Sequence, residues 1–419
     1  MYDAIVLGLG GVGSMALRGL ARQGKGGRFL GIEAYSLLHS LGSSHGKTRI
    51  YRRAYFEHPS YVPWIEESLR VFREMEQEHG ASFLQECGTL VMEQSQRPES
   101  SDPADLPLYC RSSYESAIEH GIQVEHLKPQ ELMERYPQYQ IEPSDNMAGI
   151  LEPSGGFARC EHIMEAALKE AQEAPNIEIM ENTRAMSMNY IPSNETIELQ
   201  VQTAEGEKMF VTTKTLLVSM GAWTGQLFPS WAPHLRPIRQ FQAWVQVPDE
   251  KLDRYGYQQF PTWVLVSPHY HTPLFGIPCD LDDKDGCHAW LKCGVHGRDD
   301  YIPDPSANRR DVTMAEKEEI FEAIHYGIKI NELQPIDQAP LSPETAFAEM
   351  KPCFYTMTKD EHFMLGTPTG YNRVFCVAGL SGHGYKLAPA LSQMMIDHAL
   401  GNDMAHWDFQ FCDPQRFGV

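Results

Sequence analysis

Tyr2 to Leu7 is a short apolar run, and Gly8-Leu9-Gly10-Gly11-Val12-Gly13 follows it without a break. Met15, Leu17 and Leu20 then recur at helical spacing as far as Gly24, a C-cap signal. A second apolar run, Arg28 to Ile32, ends in Glu33. Few folds accommodate strand, glycine turn, helix, strand and terminal acid within about thirty residues. Gly8 permits the tight turn, Gly10 lets a pyrophosphate approach the backbone, and Gly13 lets helix and strand pack closely. The phosphates then meet free N–H groups at a helix N-terminus. Glu33 is placed to take a ribose hydroxyl and would repel a 2′-phosphate. The N-terminus therefore predicts dinucleotide binding through Gly8, Gly10, Gly13 and Glu33.

The 419 residues leave room for two or three domains. A long amphipathic helix is expected after Ser60, through Trp64, Leu69, Val71, Phe72 and Met75. The polar stretch from Gln94 to Pro107 is expected to be an exposed connection near a domain crossover. Beyond Gly155-Gly156 a helix is expected around Ile163 to Ala171, then half-buried strands at Ile177–Ile179, Ile197–Val201 and Met209–Val211, and a buried strand at Thr215–Met220. From Pro237 to Leu341, short strands broken by Pro and Gly read as a mainly antiparallel second domain, with an acidic insertion at Asp280, Asp282, Asp283 and Asp285 and a helix at Met314–Ile330. The chain closes with a strand at Val374–Ala378, a glycine turn, and a helix at Leu387–Leu400 with Pro389 in its first turn and Gly401 after its end.

Charge narrows the function. Against 35 Lys and Arg stand 56 Asp and Glu, a net charge of -21 that repels nucleic-acid and anionic-lipid phosphates. No nucleic-acid partner and no membrane association are expected, since no apolar run reaches the roughly 18 residues of a membrane span. Nine cysteines occur without a CxxC pair, which suits a reducing compartment, and no metal site is expected. The N-terminus enters a strand without a leader, and Phe417-Gly418-Val419 does not support a peroxisomal address. A cytoplasmic location is expected.

Three further segments invite chemistry. Gly42-Ser43-Ser44-His45-Gly46-Lys47-Thr48-Arg49-Ile50-Tyr51-Arg52-Arg53 crowds small residues, a histidine and cations just after the dinucleotide unit. A cofactor ring or an anion could sit against it; a solvated basic loop is the alternative. Cys353, in Lys351-Pro352-Cys353-Phe354-Tyr355-Thr356, reads by itself as an inert buried thiol. His383 stands between Gly382 and Gly384 in Ser381-Gly382-His383-Gly384-Tyr385-Lys386, a turn suited to close approach by a ligand.

Together with Asp360-Glu361-His362-Phe363 and the N-terminal glycines, these segments make the chain resemble the monomeric sarcosine oxidase family, which includes N-methyltryptophan oxidase and L-pipecolate oxidase. The similarity runs in the same order over nearly the whole chain. It implies an α/β (α+β) fold: a Rossmann-like FAD-binding domain from residues 1–90, 150–225 and 345–419, and a substrate-binding domain from 91–149 and 226–344 with a mainly antiparallel sheet. It implies FAD attached covalently through Cys353, with Ser43, Ser44, His45, Gly382, His383, Gly384 and Lys386 beside it. Arg52 and Lys386 would fix the carboxylate of an amino acid substrate. Lys292, with Arg49 and Thr48 on the same side, would promote reaction with O2, while His296 and Tyr355 line the substrate pocket.

The resemblance also implies a secondary amino acid oxidised at its C–N bond to an imine, O2 reduced to hydrogen peroxide, and a monomer. Two departures bear on the substrate. Phe275 stands where the family commonly has tyrosine, and the acidic insertion is longer than the family's and would favour a cationic substrate. The rival readings are a dehydrogenase passing electrons to a quinone or protein, a non-catalytic FAD-binding protein, and an NAD-linked dehydrogenase that would leave Cys353 and the His383 turn unexplained.

Overall fold

The computed structural model describes residues 1–96, 102–334 and 340–419, apart from the side chains of Pro143 and His271. Part of the connection expected between Gln94 and Pro107 thus lies outside the described residues. Two eight-stranded sheets and one three-stranded sheet organise the chain.

The first sheet grows from the N-terminal unit. Strand Tyr2–Leu7 pairs in parallel with Phe29–Ile32 on one side and with the far half of Lys208–Val218 on the other. Ile177–Met180 and Val374–Ala378 extend it, also in parallel. These central strands are buried on both faces, as a parallel sheet requires. Helices Gly11–Gln23, Cys160–Glu173 and Ala388–Leu400 cover one face through Leu17, Leu20, Ala167, Leu391 and Met395. Helix Val62–His79 packs with them and ends at Gly80 in the left-handed region (φ 59°).

One expectation is corrected here. The strands expected at Met209–Val211 and Thr215–Met220 form a single strand, Lys208–Val218. Its first half pairs antiparallel with Thr196–Thr203 and its second half enters the parallel sheet, so the pattern changes midway although the strand does not.

The second sheet runs in the order Phe347–Met357, Arg236–Gln246, Trp290–Val295, Tyr270–Ile277, Thr262–Ser267, Thr89–Gln94, Met147–Glu152 and Glu125–Leu127. All its neighbours are antiparallel except Thr262–Ser267 beside Thr89–Gln94. Hydrogen bonding places Phe347–Met357, the strand of Cys353, in the second sheet. Strand periodicity then decides what faces where. Leu291, Cys293 and Val295 join the core under helix Met314–Gly327, while Lys292, between them, lines a cavity on the opposite face.

The small sheet joins Thr48–Tyr51, Gly156–Arg159 and Leu84–Glu86. Among the described residues, no helix is long and apolar enough to cross a membrane, and no cluster of His, Cys, Asp and Glu is arranged to hold a metal ion.

Candidate active site

A cavity of about 510 Å³ runs from the glycine turn to Lys292 and Lys386. At its first end Gly8 has φ 82°, and a Cβ on Gly13 would lie 1.8 Å from the Gly8 carbonyl oxygen, so both positions demand glycine. Gly10 caps helix Gly11–Gln23, whose first turn carries no acid and no side-chain cap. An N-terminus without an acid in its first turn suits an anion. Ser44 Oγ accepts from Gly11 N at 3.0 Å, bringing the 42–53 segment against the turn. Glu33, 5% exposed, lines the cavity and accepts from Leu9 N at 2.8 Å. Tyr35, Arg184 and Trp223 also line this end, with Arg184 Nη2 donating to Tyr35 Oη at 3.1 Å. None of the three stands out in the sequence, because strand Thr183–Ile191 brings Arg184 there from far along the chain. The cradle and the acid fit an adenine dinucleotide such as FAD.

The middle of the cavity is cationic. Lys292 Nζ donates to the carbonyls of Gly46 (2.8 Å) and Thr48 (2.7 Å). Arg49 donates to the carbonyls of Ser43 (2.8 Å) and His45 (2.5 Å) and to Gln242 Oε1 (2.9 Å). Burial, with Arg49 adding to it, holds Lys292 well below the usual lysine range. His45 is 3% exposed, and neither ring nitrogen has a partner among the described residues. Burial, Arg49 and Lys292 lower it to about 3, so its imidazole is neutral. Cys353 lines the same stretch, paired in register with Gln240. Burial raises its thiol, and Arg49 and Lys292 pull the other way. The solvated-loop alternative fails: His45, Thr48 and Arg52 are buried, and Arg49 is held by protein acceptors.

At the far end Arg52, 3% exposed, is already paired: Nη2 lies 2.5 Å from Glu57 Oε2, and Nη1 donates to the Ala54 carbonyl at 2.9 Å. Its guanidinium also lies 3.7 Å from the Phe56 ring centroid. Burial opposes ionisation of Glu57, but Arg52 and Lys386 outweigh it and lower the carboxyl to about 2. Lys386 Nζ donates to the His383 carbonyl (2.9 Å) and to Tyr55 Oη (3.3 Å). Burial and Arg52 lower Lys386 to about 7, against Glu57. His383 shares a 2.8 Å hydrogen bond with Tyr55 Oη through Nδ1 and reaches the Glu361 carbonyl through Nε2 at 3.2 Å.

His296 Nδ1 lies 3.3 Å from Tyr355 Oη, and a Cβ on Gly382 would come 2.4 Å from the Tyr355 ring. The glycine is what lets the 382–384 turn close over that pair. Phe275 lines the cavity with its ring over Gly294. Glu57 and Tyr55, absent from the sequence-based candidates, thus belong to this end through contacts with Arg52 and Lys386. The acidic insertion does not reach it. No carboxylate of Asp280, Asp282, Asp283 or Asp285 lines the cavity, and the loop pairs with Arg159 and Lys47 instead, which removes the basis for expecting a cationic substrate.

Comparison with known proteins agrees with this architecture. The family model described as "FAD dependent oxidoreductase" matches residues 3–398. The chain is 28% identical to a monomeric sarcosine oxidase of Bacillus sp. (strain B-0618), over 97% of this chain and 94% of that one. It is 27% identical to an N-methyl-L-tryptophan oxidase of Citrobacter koseri, over 96% of each. Among solved structures, NikD, an amino acid oxidase of nikkomycin biosynthesis, shares the fold with a TM-score of 0.77 at 17% identity, over 99% of this chain and 97% of that one. L-proline dehydrogenase from P. horikoshii shares it with a TM-score of 0.74 at 19% identity, over the same shares. The glycine cradle, the two-sheet architecture and the near full-length family match lead to one conclusion: the chain belongs to the FAD-dependent oxidoreductase family, and monomeric sarcosine oxidases and N-methyl-L-tryptophan oxidases are among its full-length relatives.

Proposed function

We propose that this protein is a flavoprotein oxidase of a secondary amino acid, N-methyl or cyclic, with its FAD attached through Cys353. Bound FAD supplies the two-electron acceptor for the C–N bond and passes the electrons to O2, giving hydrogen peroxide. The observation that carries the reading is the cationic pair Arg52 and Lys386, in the cavity that also contains the glycine cradle, Cys353 and Lys292.

Arg52 is a guanidinium fork whose present carboxylate partner, Glu57, is supplied by the protein itself. A substrate carboxylate offers the same chemistry and takes its place, with the Lys386 ammonium as second donor. The substrate amine then lies among cations, which favours its neutral, oxidisable form. His296, lowered to about 4 chiefly by burial, is neutral and can accept or donate one hydrogen bond beside Tyr355. Phe275 gives this wall no hydroxyl, so the substrate is oriented by its carboxylate and by His296 and Tyr355. Lys292, fixed by two carbonyls, presents positive charge where oxygen gains electrons.

Peroxide release tests the reading, with sarcosine, L-pipecolate, L-proline and N-methyl-L-tryptophan compared against primary amino acids and simple amines. Turnover confined to secondary amino acids supports it. Turnover of amines that lack a carboxylate removes the role given to Arg52 and Lys386.

A further inference from the structure

The acidic stretch after Pro278 plays no part in the cavity, yet its carboxylates are engaged. It links strands Tyr270–Ile277 and Trp290–Val295, so it springs from the hairpin that carries Lys292. From there it crosses to the small sheet. Asp280 takes Arg159 Nε and Nη2 at 2.6 Å each. Asp283 Oδ2 lies 3.2 Å, and Asp285 Oδ2 3.5 Å, from Lys47 Nζ. Arg159 is the register partner of Thr48, so the Asp280 clamp grips the strand beside the turn that carries Lys47.

That turn holds Lys292. Lys47 has φ 63°, a left-handed conformation that residues with a side chain seldom adopt. The carbonyls on either side of it, those of Gly46 and Thr48, accept from Lys292 Nζ at 2.8 and 2.7 Å. Its own carbonyl accepts from Cys160 N at 2.7 Å. Returning Lys47 to an ordinary φ would re-aim this set of carbonyls. The Lys47 side chain is anchored instead: burial alone would lower its pKa, but Asp283 raises it above the usual value.

We infer that Asp283 and Asp285, acting through Lys47, are positioning residues for Lys292, holding the left-handed turn whose carbonyls locate its ammonium. The inference rests on the reading of Lys292 as the group that promotes reaction with O2.

Two substitutions separate conformation from charge. Lys47→Gly and Lys47→Ala both delete the cation, but only glycine adopts φ above zero freely. In stopped-flow experiments on the holoenzyme, Lys47→Ala and Asp283→Asn/Asp285→Asn should slow reoxidation by O2 about tenfold while changing reduction by substrate less than about twofold, and Lys47→Gly should stay within about threefold of wild type. Equal losses in Lys47→Ala and Lys47→Gly overturn the inference, as does unchanged reoxidation in Asp283→Asn/Asp285→Asn. A second readout needs no turnover: amide hydrogen exchange across residues 44–52 should quicken in Asp283→Asn/Asp285→Asn while distant peptides do not change. If the wild-type enzyme reacts with O2 no faster than Lys292→Met, the role of Lys292 fails; the latch is then judged by hydrogen exchange, and unchanged exchange overturns it.

Discussion

Arg52 and Glu57 form a largely buried ion pair inside the cavity, with Nη2 2.5 Å from Oε2 and side-chain exposures of 4% and 14%. The proposed substrate anchor is thus held by a carboxylate five positions along the chain. Glu57→Gln should free the guanidinium and tighten binding of a simple aliphatic carboxylate by several-fold, about 1 kcal/mol. Perturbation of the flavin absorbance on titration with the ligand reads this directly. Arg52→Met should abolish that binding and cost about 3–5 kcal/mol of stability, because Glu57 would remain buried without its partner. Thermal melting measures the second effect.

Lys386 gives the pH dependence. Its ammonium is lowered to about 7, first by burial and then by Arg52. Below that pH it is charged and available to a carboxylate; above it the charge is lost. Affinity for a carboxylate ligand should therefore fall as pH rises through about 7, by close to tenfold per unit well above it. Glu57, at about 2, stays ionised throughout. Lys386→Met should flatten the profile. A profile unchanged in that variant would remove Lys386 from carboxylate binding.

Lys292→Met should slow reaction of the reduced enzyme with O2 by about 10² or more, the scale of losing one preorganised charge, and leave reduction by substrate within a few-fold. The charge resides on a lysine lowered by burial and Arg49. Reoxidation should therefore slow as pH rises, and Lys292→Met should lack that trend. Equal effects on both half-reactions would contradict the assignment.

Cys353→Ser should release the flavin. After acid precipitation, yellow colour is expected in the wild-type pellet and in the supernatant of the variant. Colour in the wild-type supernatant would return Cys353 to a packing role.

The legible parts of the chain were those whose signals are local. Gly8, Gly10 and Gly13 meet steric demands within one turn, and helix Ala388–Leu400 announces itself by Pro389 near its start and by Gly401, at φ 71°, after its end. Helix Leu108–Glu119 was missed because Leu108 and Ile118 are exposed, which blurs its apolar face. Strand Lys208–Val218 was split in two because Thr212-Thr213-Lys214 interrupts its apolar pattern where it passes between antiparallel and parallel partners. Arg52 and Lys386 could be named from their motifs, but the partners that set their charge could not. Glu57 lies in an irregular loop, and Tyr55 meets Lys386 and His383 only through contacts spanning more than 320 residues. The acidic loop was legible as composition but not as a latch, since Lys47 and Arg159 are brought together by the pairing of Thr48 with Arg159.

The proposed activity divides into two half-reactions that one stopped-flow experiment separates. The holoenzyme is mixed anaerobically with sarcosine, L-pipecolate, L-proline or N-methyl-L-tryptophan in turn, and any reduced enzyme is then mixed with oxygenated buffer. Bleaching of the flavin by the amino acid, followed by rapid recovery of its absorbance with one hydrogen peroxide per flavin, is the expected result. Bleaching followed by slow recovery in oxygen but rapid recovery with a quinone would contradict the oxidase assignment and identify a dehydrogenase; no bleaching by any amino acid would contradict both.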